Sequence, residues 1–137
     1  MRALHFAWRF SRGLKVDVRV LALDSAGAVL LAASEGGWRL PGGTIAPGES
    51  APAAARCALA ATGATGGALT LHRLYRVAAE PHLDHVALYI ARGAVLSDSA
   101  GAKAAFFAPG ALPGGTEPAS RRRIAAVLCG APEDEVW

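Results

Sequence analysis

The stretch "WRLPGGTIAPGESAPAAARCALAATGA", residues 38–64, gathers the residue types and spacings that could do chemistry. Gly42 and Gly43 allow close backbone approach or a strained turn. Glu49 is placed to pair with Arg56 and so tie a loop to the helix that follows. After Glu49 the next acidic residue is Glu80, so the helix that follows the glycine loop carries no carboxylate.

The elements that must hold this frame are legible from periodicity. Residues 15–23 alternate Val16, Val18 and Val20 with charged partners, the period of a half-buried strand. "DSAG" (24–27) is a turn, and 28–34 returns as the second strand of a hairpin. A short strand is expected around 38–40, within the loop 35–43. Residues 51–62 have the composition of an alanine-rich helix stopped by Gly63. Strands are expected at 68–79, 82–92 and 102–109. A closing helix is expected over 117–130, with Pro118 in its first turn and Gly130 just past its end. Residues 3–11 read either as a short helix or as an extended arm laying Leu4, Trp8 and Phe10 on the body. The acidic tail 131–137 either frays or is pinned by Trp137. No repeat or linker divides the chain, so one domain over 1–137 is expected.

Composition bounds the possibilities. A chain of 137 residues can bury a core without staples. Its hydrophobic share of 53% is inflated by alanine, which leaves the packing to Leu, Val, Ile, Phe, Trp and Tyr. The net charge of +3 favours anionic ligands but falls well short of a nucleic-acid signature. Cys57 and Cys129 have neither disulfide-framework nor metal spacing and read as free thiols. No apolar run is long enough to span a bilayer and no signal-peptide pattern opens the chain, so a cytoplasmic protein without a membrane partner is expected.

Residues 38–64 resemble the Nudix box of the Nudix hydrolases, Gly-x5-Glu-x7-Arg-Glu-U-x-Glu-Glu-x-Gly-U, where U is bulky and apolar. Gly43, five residues and then Glu49 fit its opening. "WRLPGG", "GES" and the closing "ATGA" match its usual phrasing, and "DHVALY" (84–89) and 106–124 look like stretches of small bacterial members. The resemblance implies an α/β (α+β) Nudix fold: an α/β/α sandwich around a mixed sheet, with main helices over 51–62 and 117–129. It also implies a helix face bearing Glu at i, i+3 and i+4, holding divalent cations that bridge a diphosphate and activate water. Aligning Arg56 with the box arginine puts Cys57, Ala60 and Ala61 at those positions, with six residues instead of seven after Glu49. Without a gap, Cys57 replaces the arginine and the three positions become Ala58, Ala61 and Thr62. Neither register contains a carboxylate.

The ligand implied is a nucleotide or another nucleoside-diphosphate-linked small molecule. Candidate binding residues are Trp38, Gly42, Gly43, Glu49 and Arg56; Trp38 either stacks on a base or caps the core under the loop. Candidate residual metal ligands are Glu49, Glu80 and Asp84, because many family members add a late acidic residue. Against these stand a salt bridge for Glu49 and hydrogen-bonded strand ends for Glu80, Asp84 and the neighbouring His85. Cys57 is a poor Mg²⁺ ligand and reads as a buried or half-buried inert thiol. Arg121, Arg122 and Arg123 fan over about 200° of a helix and read as a solvated face. Three functions follow: a catalytically degenerate binder; an active hydrolase with a rebuilt site, the reading that needs Mg²⁺ or Mn²⁺; or a structural, dimerising module. The apolar Phe6, Trp8 and Phe10 need cover, which points to a homodimer.

Overall fold

The computed structural model describes residues 13–98 and 103–137; the segment read at 3–11, with Phe6, Trp8 and Phe10, lies outside the described residues. The elements in chain order are β1 (Val16–Leu23), β2 (Val29–Ser34), β3 (Gly37–Arg39), β4 (Gly42–Thr44), α1 (Ala51–Ala61), β5 (Ala64–Thr65), β6 (Leu69–Arg76), β7 (His85–Arg92), β8 (Val95–Leu96), β9 (Ala104–Phe107) and α2 (Pro118–Leu128). The main sheet runs β3-β2-β1-β7-β6, with β4 also on β1 and β9 also on β2. It is mixed, because β1 and β7 pair in parallel from Val16↔His85 to Leu23↔Arg92 while the other pairings are antiparallel.

Alternation along β1 divides the core in two. Val18, Val20 and Ala22 join one cluster with Ala54, Ala55 and Leu59 of α1. Leu21 and Leu23 join the other with Leu88, Tyr75 and Ile124 of α2. One helix therefore covers each face, the sandwich expected from the sequence. Among the described residues no helix is long and apolar enough to cross a membrane.

The helix limits follow from local chemistry. Ser50 Oγ accepts the Ala53 N–H at 3.2 Å and opens α1. Gly63, with φ 86°, supplies the left-handed residue beyond its C-terminal cap. Both helices and most strands are a residue or more shorter than expected. The segments read as 68–79 and 82–92 lose their facing ends to a turn closed by the Val77 N–H bond to the Asp84 carbonyl at 2.9 Å. The very short β4, β5 and β8 carry no readable alternation. A bulge between Leu71 and Arg73 interrupts the β6·β7 ladder.

The closing helix is not a solvated arginine face throughout. Arg121 and Arg122 are exposed, but Arg123 is 1% exposed. Its guanidinium lies 4.6 Å from the Tyr75 ring centre and pairs with Glu133 at 3.4 Å and Asp134 at 3.3 Å. The tail makes this possible by folding back rather than fraying. The Arg76 N–H donates to the Glu135 carbonyl at 2.8 Å, and the Trp137 N–H donates to the Arg76 carbonyl at 2.8 Å. Trp137 meets Tyr75 edge-on, with ring centres 5.5 Å apart.

Burial pushes the Tyr75 phenol up to about 12, helped by its hydrogen bond to Glu133. Burial opposes ionisation of Glu133, but hydrogen bonds from Tyr75 and His72 and the charges of His72 and Arg123 together hold its carboxyl below the usual 4.5. The raised Tyr75 value gives stability that is complete below pH 10 and is lost as pH climbs towards about 12. The lowered Glu133 value gives stability present above pH 4.5 and lost as pH falls beneath it. Urea midpoints measured across pH should decline on both flanks, with Glu133→Gln flattening the acid flank and Tyr75→Phe the alkaline one.

Candidate functional site

The loop before α1 is fixed to the centre of the sheet through β4, in the register Asp17↔Thr44, Val18↔Gly43 and Arg19↔Gly42. At Gly42 an added Cβ would lie 2.5 Å from the Val18 carbonyl oxygen and closer still to the Arg19 side chain. Arg19 cannot easily move aside, because it donates to the Leu40 carbonyl at 3.0 Å and pairs with Glu117 at 3.3 Å. Gly43 differs: a Cβ there would meet nothing within 4 Å. The close approach read for both glycines belongs to Gly42.

Glu49 Oε1 accepts the Ala46 N–H at 3.1 Å and closes the 46–49 turn. Among the described residues it forms no ion pair with Arg56, which is exposed. The buried stripe of α1 is Ala54, Ala55 and Leu59, so Arg56 and Cys57 both fall outside it. Cys57 is consequently an exposed thiol, as is Cys129, and the buried or half-buried reading of Cys57 is corrected.

Beside Gly42 a cleft of about 230 Å³ opens against the last turns of α1. The helix lines it with Ala58, Ala61 and Thr62, the face of the ungapped register, whereas Cys57 and Ala60 do not line it. The Thr62 hydroxyl is committed inward, donating to the Leu59 carbonyl at 2.6 Å and accepting from the Ala64 N–H at 3.3 Å. The charged residues of the lining are Arg39, from β3, and Lys103, just before β9.

This donor set does not fit a divalent cation, which needs hard anionic oxygens. No carboxylate lines the cleft, and the described residues contain no group of three or more His, Cys, Asp or Glu side chains able to hold a metal. Glu80 is exposed in the turn between β6 and β7. Asp84 Oδ2 accepts the Lys15 N–H at 2.8 Å and ties the start of β1 to that turn. Trp38 packs in the α2-side cluster, edge-on to Phe107 with ring centres 5.0 Å apart, away from the cleft. Arg39 and Lys103 were not singled out in the sequence. The available signal for Arg39 was strand alternation: with Trp38 turned to one face of β3, its neighbour must turn to the other.

A mixed sheet covered by one helix on each face, with a glycine-clamped loop leading into the first helix, is the fold of the Nudix hydrolases. Solved structures similar to this chain bear that out. A NUDIX hydrolase from Nitrosomonas europaea is 19% identical, with a TM-score of 0.62 over 90% of this chain and 77% of that one. A UDP-X diphosphatase is 16% identical, with a TM-score of 0.56 over 98% and 73%. The E. coli dihydroneopterin triphosphate pyrophosphohydrolase is 15% identical, with a TM-score of 0.57 over 85% and 96%. No family model matches the chain, and no curated protein matches it in sequence.

The two box glycines are expected to separate on substitution. Gly42→Ala should destabilise by about 1–3 kcal/mol through overpacking, while Gly43→Ala should stay within about 0.5 kcal/mol of the parent. Urea unfolding of the two variants checks both.

Proposed function

We propose that this chain is a catalytically degenerate Nudix-fold protein that binds a nucleotide or nucleoside-diphosphate-linked small molecule in the cleft between α1 and the Gly42 strand. The observation that carries the reading is the lining itself: α1 turns Ala58, Ala61 and Thr62, not carboxylates, towards Gly42. The ligand class is supported by similar structures named for UDP-X and dihydroneopterin triphosphate, both phosphoanhydride-bearing compounds. Metal activation of water contributes several kcal/mol to such a hydrolysis, and each 1.36 kcal/mol, roughly, is tenfold in rate. A cleft that cannot hold the cation should therefore retain binding while turnover falls towards background.

Calorimetry against ADP, ADP-ribose and nucleotide sugars should give heat at or below millimolar ligand, and product assays with Mg²⁺ or Mn²⁺ should show no metal-dependent turnover. Robust metal-dependent turnover abolished by Glu49→Gln would instead favour the rebuilt hydrolase. Absence of heat with every ligand would favour a structural module. The facing register has its own test: Ala58→Glu with Ala61→Glu should create measurable Mg²⁺ binding, and Cys57→Glu with Ala60→Glu should not. Phe6, Trp8 and Phe10 motivate the added expectation of a homodimer, which a monomeric mass by light scattering at high micromolar concentration would remove.

A further inference from the structure

The cleft beside Gly42 is not merely short of negative charge; it carries positive charge in its place. β2 sets the geometry. Ala32 pairs with Arg39 of β3 on one side and with Ala104 of β9 on the other, so these three residues lie in one row across the sheet. Directly opposed residues share a face, and Ala104 belongs to the α1-side cluster. Arg39 is thus presented towards α1, and Lys103, the neighbour of Ala104, lines the same cleft. Arg39 is half-buried, yet among the described residues its guanidinium has no hydrogen-bond or ion-pair partner. In this it differs from Arg19 and Arg123, the other shielded arginines among the described residues, which both hold carboxylates. The helix opposite ends in small side chains, which leave the space open.

We propose that Arg39 and Lys103 form a metal-independent anion site that takes the diphosphate group of the ligand directly. The inference rests on the binding function above and specifies how the charge is met. The cleft's 230 Å³ suits a diphosphate and leaves any nucleoside to extend beyond it. The guanidinium fork of Arg39 matches two phosphoryl oxygens, and Lys103 adds a mobile point charge. With no anionic ligand for a metal in the lining, a magnesium-complexed diphosphate would arrive with part of its charge already neutralised, so Mg²⁺ should compete with the protein rather than assist it.

The probe is inorganic pyrophosphate, titrated by calorimetry at low salt in the presence of a chelator. Binding is expected, weakened by added Mg²⁺ and by salt, and weakened about tenfold by either Arg39→Gln or Lys103→Gln. Arg39→Lys should recover part of the loss. Neither glutamine variant should lower the urea midpoint, because neither side chain holds the fold together. A purely structural role, with the two cations complementing the negative end of the α1 dipole, would lower the midpoint and leave pyrophosphate affinity unchanged; that result overturns the proposal. So does binding that requires Mg²⁺, or no binding at millimolar pyrophosphate. If ADP-ribose binds equally well to the parent and to Arg39→Gln, this inference fails while the broader binding function stands. If pyrophosphate binds through Arg39 but no nucleotide does, the anion site stands and the nucleotide reading fails.

Discussion

From Val20 to Leu23 the strand β1 is apolar on both faces, and that constraint shapes the rest of the molecule. Val18, Val20 and Ala22 on one side and Leu21 and Leu23 on the other are all nearly or wholly removed from solvent. A strand of this kind cannot sit at an edge or face water, so it must be flanked by strands and covered twice. α1 and α2 supply the two covers, and each must bring an apolar stripe to the sheet. Because the stripe of α1 is built from Ala54, Ala55 and Leu59, the helix lies close and its last turns face the Gly42 loop. The cleft is a by-product of covering β1.

Attachment of the site to this frame is mostly by backbone. β4 pairs with β1, and the Leu40 N–H donates to the buried Ser120 hydroxyl of α2 at 3.0 Å. The Trp38 N–H donates to the Gly115 carbonyl at 3.0 Å, and the Glu117 N–H donates to the Trp38 carbonyl at 2.8 Å. Arg39 and the Gly42 loop are thereby held by the sheet and from the α2 side, while the side chains on the cleft surface of α1 contribute no structural hydrogen bond except that of Thr62. Such a site can change its chemistry by side-chain substitution without disturbing its support.

The sequence disclosed the elements whose pattern was strong. β1 announced itself by alternation, α1 by alanine content between Ser50 and Gly63, and α2 by Pro118 and Gly130. The box phrasing supplied the arrangement of these elements, which periodicity alone does not give. Less was legible where long-range partners decide. Arg123 looked like its two arginine neighbours because Glu133 and Asp134 return to it only through the tail. Glu49 finds its acceptor role within a four-residue turn rather than across to the helix. The Arg56-anchored alignment, which also sets Gly63 on the closing glycine of the box, pointed to Cys57, Ala60 and Ala61. The cleft is instead lined by Ala58, Ala61 and Thr62, because the side of α1 that meets it is set by packing on the sheet. Lys103 lies far from the box in sequence and reaches it only because β9 pairs with β2.

The bulge in β6 has a consequence for the company this protein keeps in a crowded solution. β6 ends the main sheet, and apart from Arg76, where the tail bridges it, its outer side pairs with no strand among the described residues. Leu71 and Leu74 there are each more than half exposed, which would ordinarily invite another polypeptide to extend the ladder. The irregularity between Leu71 and Arg73 shifts the register midway along the strand. A straight incoming strand can match the hydrogen-bonding groups on one side of that step but not on both. His72 and Arg73, exposed at the step, add charge-bearing side chains where such an intruder would have to settle. The same irregularity that complicates reading β6 from sequence thus serves as a guard against edge-to-edge aggregation.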